Sequence, residues 1–332
     1  MTNRELCGIR VRCQSRSLFA GVLFFLGVGV VFQRADWVAP AKSQEKVVTL
    51  DVTVIERDAQ AFGSLTKEEF TVYEDEVKQE INSLNAQESS VSLGIAIDAS
   101  GSMRTELPLI QRTALNVISQ LRPADEAFLV VFRAEAELFH DFTSNQRDLA
   151  KAVGEIFTSG GTGLFDAVVA TADYAYQKGK HRRRAALLIT DGIEKNSSVN
   201  ENKVITSLIE NRTQAYFICL PAMNPSPLSR YKTPSEARER LDRLAKASGG
   251  LSFPVATAEE SVQTAARLMG NLRRQYEITY ISTNNKQDDK LRKVRVVVSP
   301  KDGRQLNVIT RQGYYGPGHK TAAEKEAAKK KK

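Results

Sequence analysis

Asp98, Ser100 and Ser102 occupy alternate positions in the segment Leu93–Met103, LGIAIDASGSM, where an apolar run ends in a short polar loop. One carboxylate and two hydroxyls at the end of a strand are hard oxygen donors. They suit Mg²⁺ or a similar small divalent cation, which prefers oxygen and keeps several of its waters. In open α/β sheets, ligands collect at the carboxyl edge of the strands. On its own the string has limited specificity, because Asp and Ser also populate ordinary turns. Two later segments add donors of the same kind. Gly160–Ala167, GGTGLFDA, offers Thr162 from a glycine-rich loop that opens a helix. Leu187–Gly192, LLITDG, repeats the apolar strand that runs into a carboxylate, Asp191.

Together the three segments resemble the metal-ion-dependent adhesion site of von Willebrand factor A (vWA) domains, with Asp98, Ser100, Ser102, Thr162 and Asp191 matching in order. The resemblance implies Mg²⁺ or Mn²⁺ touched directly by Ser100, Ser102 and, in some members, Thr162. Asp98 and Asp191 act there through water. It further implies one coordination position left open for an acidic group on a partner. The flanking strings LTKEEFTVYEDEVKQEI (from Leu65), LRRQYEITYIS (from Leu272) and TRQGYYGP (from Thr310) are similar to the vWA-related proteins of Acidobacteria. That second resemblance spans nearly all of residues 47–317 and implies an envelope or secreted location and a binding role. One departure is Glu76-Val77, where such proteins often carry Gly in the first hairpin turn.

The elements that must position these side chains follow from the hydropathy pattern. From Val91 to about Gln275, short apolar runs alternate with helix-length amphipathic segments, which predicts a doubly wound, mostly parallel α/β sheet. The strands read Val91–Asp98, Ala127–Arg133, Ala185–Thr190, Gln214–Leu220 and Leu251–Val255, with Ala136–Phe142 as an antiparallel edge. Leu107–Leu121, Gln146–Phe157, Leu164–Tyr176 and the stretch around Ala237–Ala247 have helical spacing. Outside this unit the rhythm changes to strict alternation, as in Val47–Ile55, VVTLDVTVI. Phe70–Ile81 reads as two short strands about the turn Glu74-Asp75-Glu76. Tyr276–Ser282, Lys293–Ser299 and Gln305–Thr310 are also strand-like. Neither flank has enough strands for a stable sheet of its own. The expected solution is one discontinuous all-β domain built from residues 47–85 and 276–316, with the vWA unit, residues 90–275, inserted between them.

The formal charge of +8 over 332 residues resides at the two ends. Five arginines precede residue 42, and six lysines follow residue 317, which leaves the part between nearly neutral. Nucleic-acid binding needs a basic patch on a folded face, and none is expected. The cluster His181-Arg182-Arg183-Arg184 reads as a solvated helix–strand connection. Arg10, Arg12 and Arg16 precede the charge-free run Leu18–Phe32 and then Ala39-Pro40-Ala41. This is the arrangement of a signal peptide, residues 1–41, with retention as a membrane anchor through residues 18–32 as the alternative. Either outcome puts the remainder outside the cytoplasm, in periplasm, envelope or medium. Cys219 is then the only thiol exported, so no internal disulfide framework can form. It reads as an inert buried thiol. The Lys-rich tail, residues 317–332, has no apolar face to bury and is expected to be disordered.

The leading function is an extracytoplasmic, metal-dependent protein-binding module. Its Mg²⁺ or Mn²⁺ would grip a carboxylate of a protein or peptide ligand. An enzyme is not expected: hydrolysis through an aspartyl nucleophile would want a second Asp where Ser100 stands, and no His or Lys is placed as a base. A metal-independent envelope scaffold acting through the β-domain is the alternative. Asp166 is expected to order its helix start, and Glu194 to be a rim charge.

Overall fold

The structure, a computed structural model, describes residues 5–6, 9–10, 47–56, 65–86, 88–221, 233–303 and 305–321. The apolar run 18–32 and the tail from residue 322 lie outside them. Among the described residues no helix is long and apolar enough to cross a membrane. In chain order the strands are β1 (Glu5–Leu6), β2 (Ile9–Arg10), β3 (Val47–Glu56), β4 (Phe70–Glu74), β5 (Val77–Gln79), β6 (Ile81–Asn85), β7 (Val91–Asp98), β8 (Glu126–Phe132) and β9 (Ala136–Thr143). They continue as β10 (Arg183–Thr190), β11 (Thr213–Cys219), β12 (Ser252–Pro254), β13 (Tyr276–Ile281), β14 (Leu291–Val298), β15 (Leu306–Ile309) and β16 (Gly313–Tyr315). The helices are α1 (Leu107–Ser119), α2 (Gln146–Gly154), α3 (Leu164–Lys178), α4 (Glu201–Glu210), α5 (Pro234–Ser248) and α6 (Ala258–Arg273).

The central sheet runs β1-β2-β9-β8-β7-β10-β11-β12. β8, β7, β10, β11 and β12 are parallel, and β9 is antiparallel to β8. Every residue of β7, β8 and β11 is buried. This is why these strands are continuous apolar runs: a parallel strand covered on both faces has no polar side to alternate with. One face packs on α1, α2 and α6 through residues such as Ile95, Ile97, Ile110, Leu149 and Leu268. The other packs on α3, α4 and α5 through Ala96, Phe128, Phe165, Val204 and Leu241. From β7 the chain order moves outward to β8 on one side and β10 on the other, so the end of β7 is a topological switch point, where a crevice opens. Asp98 is the last residue of that strand.

The flanks form a two-layer sandwich. One sheet is β15-β3-β13-β6 and the other β16-β14-β4-β5, so strands from both ends of the chain interleave. Alternation along β3 sends Val48, Leu50, Val52 and Val54 inward, against Tyr276, Ile278 and Tyr280 of β13 and Val72, Val294 and Val296 of the facing sheet. A buried polar network lies beside this core. Glu74 accepts hydrogen bonds from Tyr280 Oη (2.9 Å), Tyr314 Oη (2.7 Å) and Ser282 Oγ (2.7 Å), with Arg292 3.6 Å away. Glu74→Ala leaves the Arg292 guanidinium buried with no acid and removes the carboxylate that both phenols donate to. Breaking a buried pair in this way costs about 3–5 kcal/mol. Urea denaturation is therefore expected to show a much lower midpoint for Glu74→Ala and a smaller loss for Glu74→Gln.

The arginine cluster before β10 corrects one expectation. Arg183 and Arg184 belong to the strand, and the Arg183 side chain is 2% exposed. Arg182 pairs with Asp51 of β3 at 2.8 Å and with Glu277 of β13, while Arg183 donates to the carbonyl of Arg273 and lies 3.7 Å from Asp51. Gln275 Nε2 adds bonds to Thr53 Oγ1 (2.9 Å) and Gln214 Oε1 (3.0 Å). The cluster is a latch between the α/β unit and the sandwich and not a solvated connection.

Candidate metal centre

The register of two neighbouring strands brings the first and last acidic residues together. Ile97 of β7 sits opposite Ile189 of β10, so Asp98 and Thr190 leave the sheet side by side and Asp191 follows one residue later. Thr190 Oγ1 donates to Asp98 Oδ2 at 2.7 Å, and the Ser100 amide donates to Asp98 Oδ1 at 3.0 Å. Asp98 is therefore fixed at both oxygens. The loop then turns so that Ser100 Oγ and Ser102 Oγ lie 3.0 Å apart. Asp191 is anchored by the Ile193 amide (2.9 Å). Gly192 follows it at φ +79°, in the left-handed region that residues with a side chain avoid.

The Thr162 loop is clamped against both of its neighbours. On one side Gly101 N bonds to Gly160 O (3.1 Å) and Ser159 N to Ala99 O (2.8 Å). On the other, Thr162 O accepts from Lys195 N (3.1 Å) and Asn196 N (2.9 Å), while Thr162 N donates to Asn196 Oδ1 (3.0 Å). A side chain at residue 161 would place its Cβ 2.2 Å from that same Asn196 oxygen and would displace the Asn196 side chain from its bond to Thr162 N. The Thr162 main chain is thus held at three points. Its hydroxyl is buried and has no hydrogen-bond partner among the described residues.

Burial and charge explain the electrostatics. Asp98, Ser100 and Thr162 are almost fully buried and Asp191 is 6% exposed, whereas Ser102 is half-buried, so access is from the Ser102 side. Desolvation raises the Asp98 pKa, and the nearby Asp191 charge raises it further; desolvation also raises Asp191. Two buried carboxylates, two clustered hydroxyls and one orphaned hydroxyl are oxygen donors of the kind a small divalent cation takes, and such a charge would offset both shifts. Among the described residues there is no group of three or more His, Cys, Asp or Glu suited to a metal, so such an ion would depend on the hydroxyls.

Several residues have roles the sequence did not disclose. Glu194, expected at the rim, is wholly buried. It accepts from Phe165 N at the start of α3 (3.0 Å), Ser197 N (2.8 Å) and Ser197 Oγ (2.7 Å), which ties the Asp191 loop to the Thr162 loop. A carboxylate at a helix N-terminus is also favoured by the helix dipole. Asp166 accepts from Ser198 N (2.9 Å), Ser198 Oγ (3.1 Å) and Val199 N (3.2 Å), so it orders the loop between β10 and α4 and not its own helix start. Lys195 lies close enough to Asp191 to draw its pKa down against desolvation, although no lysine was expected near the site. Cys219 is buried and free, and burial pushes its thiol up to about 12, the state of an unreactive thiol. Beside the Ser159–Gly160 strip, Phe157 is 64% exposed, with the Arg133 guanidinium 4.6 Å over its ring.

The family model of the von Willebrand factor type A domain matches residues 93–194. Among solved structures, BatB from Bacteroides thetaiotaomicron is similar at 17% identity over 55% of this chain and 98% of its own, with a TM-score of 0.45. A von Willebrand factor type A protein from Catenulispora acidiphila is similar at 15% identity over 82% of this chain and 75% of its own, TM-score 0.47. The pilus adhesin SpaC from Lactobacillus rhamnosus GG shares 9% identity over 76% of this chain and 48% of its own, TM-score 0.44. No curated protein matches the chain. All five sequence-identified residues fall inside the matched span, and the unit that carries them is a von Willebrand factor type A domain.

Proposed function

We propose that this protein is an extracytoplasmic binding module whose vWA domain holds one Mg²⁺ or Mn²⁺ and uses it to grip a carboxylate on a protein or peptide partner. Ser100, Ser102 and Thr162 are the direct ligands, and Asp98 and Asp191 act through water. The observation that carries this reading is the Thr162 hydroxyl, buried without a partner among the described residues on a loop otherwise fixed at three points. A buried hydroxyl left unsatisfied is costly and calls for a ligand. Neutral hydroxyl donors cancel little of the ion's charge, so it stays attractive to an incoming anion. The half-buried Ser102 marks the open side, and the exposed Phe157, with the half-buried Arg133 guanidinium over its ring, offers apolar and cationic contact surface on the adjoining loop. Export rests on the Arg-flanked apolar run before residue 42, with membrane attachment through residues 18–32 as its uncleaved form. The role is binding and not catalysis.

Capture from envelope extract tests the reading. Immobilised full chain is compared in Mg²⁺, in EDTA, and as Asp98→Ala. The expected result is a partner retained by the wild type in Mg²⁺ alone. A second reading, a metal-independent scaffold, is favoured by the complete sandwich latched to the vWA domain, and equal retention under all three conditions would establish it instead.

A further inference from the structure

At the opposite end of the vWA domain, where it meets the sandwich, lies a second polar cavity of about 360 Å³. Arg184 at the start of β10, Arg212 after α4 and Arg311 before β16 line it, with Tyr176 at its margin. A smaller adjoining cavity of about 90 Å³ shares the same three arginines. Asp191 lies seven residues beyond Arg184 along β10, about 23 Å at strand rise, so this place is distinct from the metal centre.

The charges here do not balance locally. Each of the two acids that line the cavities is paired with another wall residue and not with these three arginines: Asp51 with Arg182 at 2.8 Å and Glu210 with His319 at 2.6 Å. Among the described residues no ion pair involves Arg184, Arg212 or Arg311. Arg311 makes one hydrogen bond, from Nη2 to the Thr49 carbonyl (2.9 Å). The Nε–H groups of Arg184 and Arg311 are buried without acceptors among the described residues. Burial and the neighbouring Arg212 charge lower Arg311 to about 10 against the opposing effect of Asp51, and burial together with Arg212 and Arg182 lowers Arg184 against the opposing effect of Tyr176. Three guanidinium groups with spare donors on one concave surface have the chemistry of oxyanion recognition, where the planar fork engages two oxygens at once. The cavity has the size of a small-molecule site and exceeds what one phosphate fills. Tyr176 is 46% exposed, with the Arg184 guanidinium 5.5 Å from its ring. It gives an aromatic face to the organic part of a ligand.

We propose that this seam binds a phosphomonoester, its phosphate seated among Arg184, Arg212 and Arg311 and its organic part against Tyr176. Calorimetry on the full chain in EDTA, which removes any contribution from the metal centre, tests it with phenyl phosphate, inorganic phosphate and sodium chloride at matched ionic strength. Phenyl phosphate is expected to bind saturably and more tightly than inorganic phosphate. Binding should weaken at least tenfold in Arg212→Gln and in Arg184→Gln. Arg212 is exposed and its side chain makes no hydrogen bond or ion pair among the described residues, so its variant should melt at the wild-type temperature without ligand. No saturable binding, heats matched by sodium chloride, or affinities unchanged in both variants would overturn the proposal while leaving the metal centre unaffected.

Discussion

Removing residues 1–89 is expected to turn the chain into aggregate, and ending it at Gln275 as well should restore a soluble monomer. The reason is the interleaving of the sandwich. β13 pairs only with β3 and β6, β15 with β3, and β14 with β4 and β16. Without the N-terminal flank, β13 and β15 lose every ladder partner and β14 keeps only the three-residue β16. Ile278 and Tyr280, both fully buried, and Val294 and Val296, at 7% and 8% exposure, would then face water. Unpaired strands with an apolar face are templates for association. Residues 90–275 keep both apolar layers of the central sheet and all five site residues, so that fragment should elute as a monomer and retain metal affinity. Gel filtration of residues 90–332 and 90–275 gives the comparison. A stable monomer of residues 90–332 would mean that the C-terminal strands fold without their partners.

Much of the architecture was legible because burial on both faces writes itself into composition. β7, β8, β10 and β11 were recognisable as apolar runs, and their ends fell within two residues of the sequence reading. The alternation in β3 likewise announced a one-sided strand. Elements that bury polar residues were harder to specify. In α6 the inward positions include Ser261, Thr264, Asn271 and Arg273, which thins the apolar period. β6, INSLN, buries only Ile81 and was absorbed into the preceding hairpin. The latch was misread for a related reason: a run of arginines signals solvent until Asp51 and Glu277, far away in the chain, are brought beside it.

The placement of the five candidate residues was legible because three loop segments each end or follow an element that sets their position. What supports them was not. Glu194, Asn196 and Ser197 act on main-chain amides, which leave no mark in a sequence. Their only signal was a run of small polar and acidic residues just after Asp191. The orphaned Thr162 hydroxyl is a property of packing alone, since a threonine in a glycine-rich loop ordinarily finds a partner nearby.

That hydroxyl gives the metal centre its sharpest test. Thr162→Val keeps the shape of the side chain and removes the oxygen. Because the oxygen bonds to nothing among the described residues, metal-free protein should lose no stability, and its melting temperature should equal or exceed that of the wild type. Binding of a metal would by contrast lose a ligand, and a loss of at least about tenfold in affinity corresponds to roughly 1.4 kcal/mol. Calorimetric titration of the full chain with Mn²⁺ is predicted to show one site in the wild type and binding weakened by that factor or more in Thr162→Val, with unchanged metal-free melting. Equal Mn²⁺ affinity in the two proteins, or no binding to the wild type, would contradict the metal centre.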